Sequence, residues 1–135
     1  MTVIICLGNS NGMAFNKRRQ SRDSRVLEDI RALFPNGIKI APYSEKLVSA
    51  AEIRYTVCED LASEAEGVLF VETFDPAVLV SRINRLVIYR WNREYPADLF
   101  CTLDPKLSGW TLKSVEEFCG TSHETVTREI FEKNR

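Results

Sequence analysis

Two basic segments carry the side chains in this sequence that are best suited to binding chemistry. Residues 16–23 hold four cations and the carboxylate of Asp23, between an apolar β-like opening and an amphipathic helix pattern. Residues 85–93 form an apolar run whose far end carries arginines and Trp91. In open α/β sheets, ligands bind outside the carboxyl ends of the strands. We therefore expect the two segments to meet at one site.

The arginines of the first segment allow two interpretations. Arg18, Arg19, Arg22 and Arg25 either form a solvated helix start, paired with the acidic residues that follow, or they bind an anion. Cations at a helix N-terminus oppose the macrodipole, and an anionic ligand compensates for that. Arginine offers fork-like donors to phosphate or carboxylate.

The second segment also allows two interpretations. Arg90 and Trp91 follow a predicted buried strand, and guanidinium and indole groups stack on bases or aromatic rings. Alternatively, Trp91 covers the edge of the sheet.

Composition limits the class of protein. The chain has 135 residues, 44% hydrophobic and 27% charged, which predicts a single domain, 1–135, with its own core. It shows no apolar run of about 20 residues and no signal peptide, so we expect a cytoplasmic protein that does not enter membranes. The net charge of −1 argues against generic nucleic-acid binding. The four scattered cysteines and single histidine predict buried thiols, no metal site, and a surface position for His123.

Hydrophobic spacing predicts alternating elements. Thr2–Leu7 is a strand, and residues 23–34 are a helix with Ser21 as a plausible N-cap. Further strands are predicted at 37–41, 53–57, 68–72 and 86–89, with helices at 44–51, 59–65 and after Asp75. Residues 98–103 and 110–115 are predicted to be consecutive antiparallel strands joined by a loop at 104–109. A capping box at 121–124 predicts a C-terminal helix that buries Val126, Ile130 and Phe131. The fold class is therefore α/β, a single open, mostly parallel sheet with antiparallel edge strands and a C-terminal helix.

This order of elements resembles dihydrofolate reductase. The resemblance rests on the opening strand, the Asn11-Gly12-Met13 turn, Asp23 near a helix start, and the segments 85–89, 95–100 and 110–118. It implies a dihydrofolate-reductase-like fold. It also implies that Asp23 is the carboxylate that binds a pterin and that Tyr89 is the hydroxyl residue beside it, which makes both candidate catalytic residues. A carboxylate at a helix start can accept two donors from a ring edge, or it can cap its own helix.

The chain departs from that family where the cofactor binds. The paired glycines that let a pyrophosphate approach the backbone are replaced by Glu72-Thr73, and a carboxylate there repels phosphate. We therefore expect no cofactor, and NADPH is disfavoured. Residues 12–23 and 90–98 are also similar to a group of small bacterial proteins, some of which carry a ribonuclease Z label. A zinc-dependent ribonuclease of that kind needs several histidines, and this chain has one.

The sequence thus predicts a protein that binds a small anionic or nucleotide-like ligand at a dihydrofolate-reductase-like site. In this interpretation Asp23 binds the ring edge of the ligand, the arginines bind its anionic group, and Trp91 stacks on its ring. The alternatives are an NADPH-dependent reductase of a pterin-like substrate and an RNA-binding protein or ribonuclease. The candidate binding residues are Asn16, Arg18, Arg19, Asp23, Tyr89, Arg90 and Trp91.

Overall fold

The computed structural model describes residues 1–106 and 109–135, and strands and helices alternate through the first part of the chain. The strands are β1 (Thr2–Leu7), β2 (Gly12–Phe15), β3 (Arg18–Arg19), β4 (Ile38–Ile40), β5 (Tyr55–Val57), β6 (Val68–Phe70), β7 (Arg85–Arg90), β8 (Leu99–Phe100), β9 (Trp110–Phe118) and β10 (Val126–Lys133). The α-helices are α1 (Ser24–Leu33) and α2 (Glu45–Ala50). Short 3-10 helices cover Pro42–Ser44, Leu61–Ser63 and Pro76–Leu79.

In the described ranges, a seven-stranded sheet has the order β5-β4-β6-β1-β7-β10-β9. The first five strands of that order are parallel to one another, and β10 is antiparallel to both β7 and β9. A small antiparallel sheet, β3-β2-β8, lies beside it. The prediction of a mostly parallel sheet with antiparallel edge strands is confirmed.

The alternation of side chains along β1 divides the core into two layers, because successive strand residues point to opposite faces. Val3, Ile5 and Leu7 pack into one cluster. Ile4 packs into the other, together with Val26 and Ile30 of α1. Helix α1 therefore covers one face of the sheet, and its first turn lies near the carboxyl end of β1. No helix among the described residues is long and apolar enough to cross a membrane.

The predicted C-terminal helix is wrong, because residues 126–133 form strand β10 between β7 and β9. Val126 and Ile130 are four residues apart, a spacing that fits one helix face and equally fits one face of a strand. Pairing on both sides settles the choice: Ile130 lies opposite Val87 on β7 and Ser114 on β9. The Thr121 hydroxyl does reach a helix start, but that helix is α1, where it accepts from the backbone N–H of Ser24 at 3.3 Å.

The predicted pairing of residues 98–103 with 110–115 is also wrong. Strand β8 pairs with β2 in the small sheet, whereas β9 pairs with β10 at the edge of the large sheet. Strands that are adjacent in sequence usually pair, and the prediction assumed that these two strands do so. Of the loop predicted at 104–109, Leu107 and Ser108 lie outside the described residues.

Candidate functional site

The candidate site lies where the carboxyl ends of the parallel strands β1, β6 and β7 meet. Strand β1 leads into residues 8–23, β6 into Val71 and Glu72, and β7 into Trp91. Helices α1 and α2 flank this edge and leave an open cleft between them. Ligands bind in open α/β sheets at such an edge.

Asp23 is the N-cap of α1 and is almost completely buried, so Ser21, the predicted cap, is not the cap. Its Oδ1 accepts hydrogen bonds from the backbone N–H of Arg25 at 2.9 Å and from both the N–H and the hydroxyl of Thr121 at 3.0 Å. Its Oδ2 accepts from the N–H of Ser122 at 2.8 Å and from His123 Nδ1 at 3.0 Å. Burial by itself raises the pKa of Asp23, but these hydrogen bonds outweigh burial and hold the pKa well below its ordinary value.

His123 is buried, with 4% of its surface exposed, so its predicted surface position is wrong. Its Nε2 lies 2.8 Å from the Tyr95 hydroxyl and 3.2 Å from the Ser21 hydroxyl. The imidazole stacks on Trp91 at a centroid distance of 4.5 Å and an angle of 19°. With Asp23 ionised, Nδ1 donates to it, and in the tautomer whose only proton is on Nδ1 the Nε2 atom is an acceptor.

Tyr89 belongs to a different network. Its hydroxyl donates to Asp29 Oδ2 at 2.6 Å, and Arg128 Nη1 lies 2.9 and 2.8 Å from the two oxygens of Asp29. Burial, reinforced by the Asp29 carboxylate, raises the pKa of the fully buried Tyr89 far above its ordinary value. Tyr89 is therefore a neutral donor to Asp29, and among the described residues it shares no hydrogen-bond partner with Asp23.

Arg19 is tied to Glu72, the residue that follows β6 and Val71. Its Nε and Nη2 donate to the two carboxylate oxygens at 2.8 and 3.0 Å, and Ser44 Oγ donates to Glu72 at 2.7 Å. The guanidinium also lies over the Tyr43 ring, 4.7 Å from its centroid. The pairing neutralises both charges at the carboxyl end of β6.

The remaining predicted site residues are separate from one another. Arg90 donates to Glu129 at 2.9 Å and to Asn11 at 2.8 Å. Asn16 is exposed at the hairpin between β2 and β3, where its N–H donates to Asp98 at 3.1 Å. Arg18 is exposed on the same hairpin. The structure thus joins Asp23 and Trp91 through His123, keeps Arg18 and Arg19 on the neighbouring hairpin, and places Tyr89, Arg90 and Asn16 elsewhere.

Space at this edge is divided into a narrow inner part and a wide outer part. The inner cavity, between Cys6, Asp23, Glu72 and Trp91, holds about 20 Å³, room for about one water molecule. The outer cleft between α1 and α2 has a volume of about 680 Å³, the size of a small-molecule site. We call it the α1–α2 cleft. Its lining combines apolar and charged side chains: Arg19, Arg22, Asp23, Ser24, Leu27, Glu28, Arg31, Lys46, Leu47, Ala50, Ala51, Glu52, Thr121 and Ser122.

The charges of the α1–α2 cleft are unevenly compensated. Glu28 lies 3.4 Å from Arg25, and Glu52 lies 3.8 Å from Arg31. Arg22 and Lys46 form no salt bridge within residues 1–106 and 109–135. The cleft therefore offers two cations that form no salt bridge, together with apolar side chains in its lining. Among the described residues, no group of three or more His, Cys, Asp or Glu is arranged to hold a metal ion.

Comparison with known proteins identifies the fold. The sequence matches no protein-family model and no curated protein. The structure is similar to that of dihydrofolate reductase from Enterococcus faecalis, complexed with NADP(H) and RAB-propyl. The TM-score is 0.67 at 9% sequence identity, covering 99% of this chain and 96% of that one. The chain thus has a dihydrofolate-reductase-like fold, as the sequence indicated, and at this identity the similarity establishes the fold alone.

Proposed function

We propose that this protein binds a small organic anion in the α1–α2 cleft, and that the ligand has a flat apolar body and a phosphate or carboxylate group. The proposal rests on the cleft, which combines a volume of about 680 Å³ with apolar lining residues and the free cations Arg22 and Lys46. Leu27, Leu47, Ala50 and Ala51 would pack against the ligand body. A nucleotide-like ligand has both required parts. The structural neighbour with this fold is itself complexed with small molecules.

The proposal moves the ligand away from the residues that the sequence favoured. Both oxygens of Asp23 accept protein donors, and the inner cavity beside it has room for one water molecule. Trp91 is only 4% exposed, and its ring stacks on His123. Asp23 lines the cleft, whereas Trp91 lines the inner cavity. The ligand would instead be recognised by Arg22, which lies just before α1, and by Lys46 on α2.

Thermal denaturation with a panel of nucleotides, pterins and folates tests the proposal. A ligand present at about 100 times its dissociation constant adds about 2.7 kcal/mol of stability, which raises the Tm by about 10 °C for a chain of this size. The Arg22→Ala and Lys46→Ala variants should lose most of that shift. Lys113→Ala is the matched control, because Lys113 is an exposed lysine on β9 outside the cleft. No shift with any member of the panel would refute the proposal, and so would equal losses in the control.

A second candidate, an NADPH-dependent reductase of a pterin-like substrate, is favoured by the fold of the structural neighbour. We expect no reductase activity, because the Glu72 carboxylate follows β6 where a cofactor phosphate would need to approach the backbone. The assay is loss of NADPH absorbance with dihydrofolate. Turnover in the wild type that disappears in Asp23→Asn would favour the reductase over the ligand-binding protein.

RNA binding, the third candidate, is tested by the salt dependence of binding to a short single strand. Arg19, Arg25 and Arg31 are already paired with carboxylates, which leaves fewer cations for a phosphate backbone. Affinity that falls steeply with salt and weakens further in Arg18→Ala would support an RNA function.

A further inference from the structure

The side chains of Ser21, His123 and Asp23 lie in series, each within hydrogen-bonding distance of the next. The Ser21 hydroxyl lies 3.2 Å from His123 Nε2, and His123 Nδ1 lies 3.0 Å from Asp23 Oδ2. The same order of groups activates the nucleophile of serine hydrolases: the carboxylate fixes the tautomer, and the free ring nitrogen takes the hydroxyl proton. The donors from Arg25, Thr121 and Ser122 fix the carboxylate in turn.

The burial of the three groups differs in the way such a site requires. Asp23 and His123 are 1% and 4% exposed, whereas Ser21 is half-buried and lines an open pocket of about 590 Å³. This pocket, which we call the Ser21 pocket, adjoins the α1–α2 cleft and is lined by Arg18, Arg19, Ser21, Arg22, Tyr43 and Ser122. The base is sheltered, whereas Ser21 lines space that a substrate can enter.

We propose that Ser21 is a nucleophile, activated by His123 and Asp23, that cleaves an anionic carboxylic ester bound in the Ser21 pocket. The charge of the pocket indicates the substrate class. Arg18 and Arg22 form no salt bridge within the described residues, so they are free to bind the anionic group of the ester. A guanidinium close to the reacting carbonyl would also stabilise the oxyanion.

The reaction is an ordinary acyl transfer to water. Ser21 Oγ forms a bond to the carbonyl carbon as its proton passes to His123 Nε2. The bond from that carbon to the leaving oxygen then breaks, and His123 returns the proton to the leaving alcohol. Water next attacks the acyl carbon and gives its proton to His123. The acyl–Oγ bond breaks, Ser21 is reprotonated, and the carboxylic acid leaves.

Tyr95 controls this chemistry. Neutral His123 has a single acceptor site on Nε2, and the Tyr95 hydroxyl, at 2.8 Å, is closer to it than Ser21 is. In the resting arrangement the Tyr95 hydroxyl donates to Nε2, so Nε2 is not available to accept the proton of Ser21. Removing the Tyr95 hydroxyl leaves Nε2 to Ser21 alone. The Tyr95→Phe variant should therefore be more reactive than the wild type, an effect that a purely structural cluster would not produce.

Labelling with a fluorophosphonate tests the proposal, because attack by Oγ on phosphorus expels fluoride and leaves a stable adduct. We expect peptide mapping to place the adduct on Ser21 and not on Ser122, which lines the same pocket but whose hydroxyl forms no hydrogen bond to His123 among the described residues. Ser21→Ala should not be labelled. Tyr95→Phe should be labelled about five-fold faster, since one net hydrogen bond is worth about 1 kcal/mol.

Release of nitrophenol from an anionic and a neutral nitrophenyl ester gives the second measurement. The anionic ester should be cleaved faster, and that preference should fall in Arg18→Ala. An absence of adduct on Ser21 in both the wild type and Tyr95→Phe, with both proteins folded by circular dichroism, would overturn the proposal. Equal labelling of Ser21 and Ser122 would do the same. None of these results depends on ligand binding in the α1–α2 cleft, so the two proposals fail separately.

Discussion

Replacement of Asp23 by asparagine should destabilise the fold substantially while changing the volume of the side chain very little. The asparagine keeps one acceptor oxygen, but its NH₂ group takes the place of the other and faces groups that are themselves donors. If that group replaces Oδ2, the N–H of Ser122 loses its acceptor and His123 Nδ1 must give up its proton. An unsatisfied buried donor costs about 1–3 kcal/mol. We expect a total loss near 3 kcal/mol, or about 10 °C in Tm for a domain of this size.

The pH dependence of that loss distinguishes the carboxylate from mere packing. The native pKa of Asp23 is lowered, so its stabilising effect is fully present above the unfolded-state pKa of about 4. It disappears progressively as the pH falls below that value toward the lowered native pKa. Urea unfolding of wild type and Asp23→Asn at several pH values measures the difference, and exposed Asp104→Asn is the control, expected within about 0.5 kcal/mol of wild type. A variant within 0.5 kcal/mol of wild type at pH 7 would refute this account of Asp23.

Three further results are expected. Gly12→Ala should cost about 1–3 kcal/mol in urea unfolding, since its Cβ would lie 2.5 Å from Ala97 Cβ, and Ala97→Gly should restore part of the loss. Arg128→Ala should cost about 2 kcal/mol or more, because it leaves the Asp29 carboxylate beside Tyr89 without its guanidinium partner; a loss under 0.5 kcal/mol would contradict that role. A thiol reagent should modify exposed Cys119 quickly and Cys101 only after unfolding, since burial raises the pKa of Cys101 to about 11; equal rates would show that Cys101 is accessible.

Local patterns account for the parts of the fold that the sequence predicts correctly. The apolar run of β1, the periodic spacing in α1 and the continuous apolar run of β7 each identify their element without reference to distant residues. The last strand was missed because its identity depends on its neighbours. Residues 126–133 become a strand by pairing with β7 and β9, and no pattern within them outweighs the capping signal at 121–124.

The candidate site shows the same division between local and distant information. The position of Asp23 at a helix start is visible in the sequence, and it does cap α1. Its other partners, Thr121, Ser122 and His123, are about a hundred residues away. The roles of His123 and Ser21 follow from that long-range contact. A prediction of the contact between His123 and the N-cap of α1 would have required the pairing of β10 with β7.

The position of β10 between β7 and β9 determines when the protein can complete its large sheet during synthesis. At typical rates of 5–20 residues per second, Asp23 leaves the ribosome's active centre roughly 5–20 s before His123, which is 100 residues later. For the whole of that interval the start of α1 lacks the loop that closes over Asp23, and β7, once it is made, has one bare edge until β10 follows. The exposed edge is a template for pairing with other chains. We therefore expect the nascent chain to be most prone to aggregation just before β10 is made.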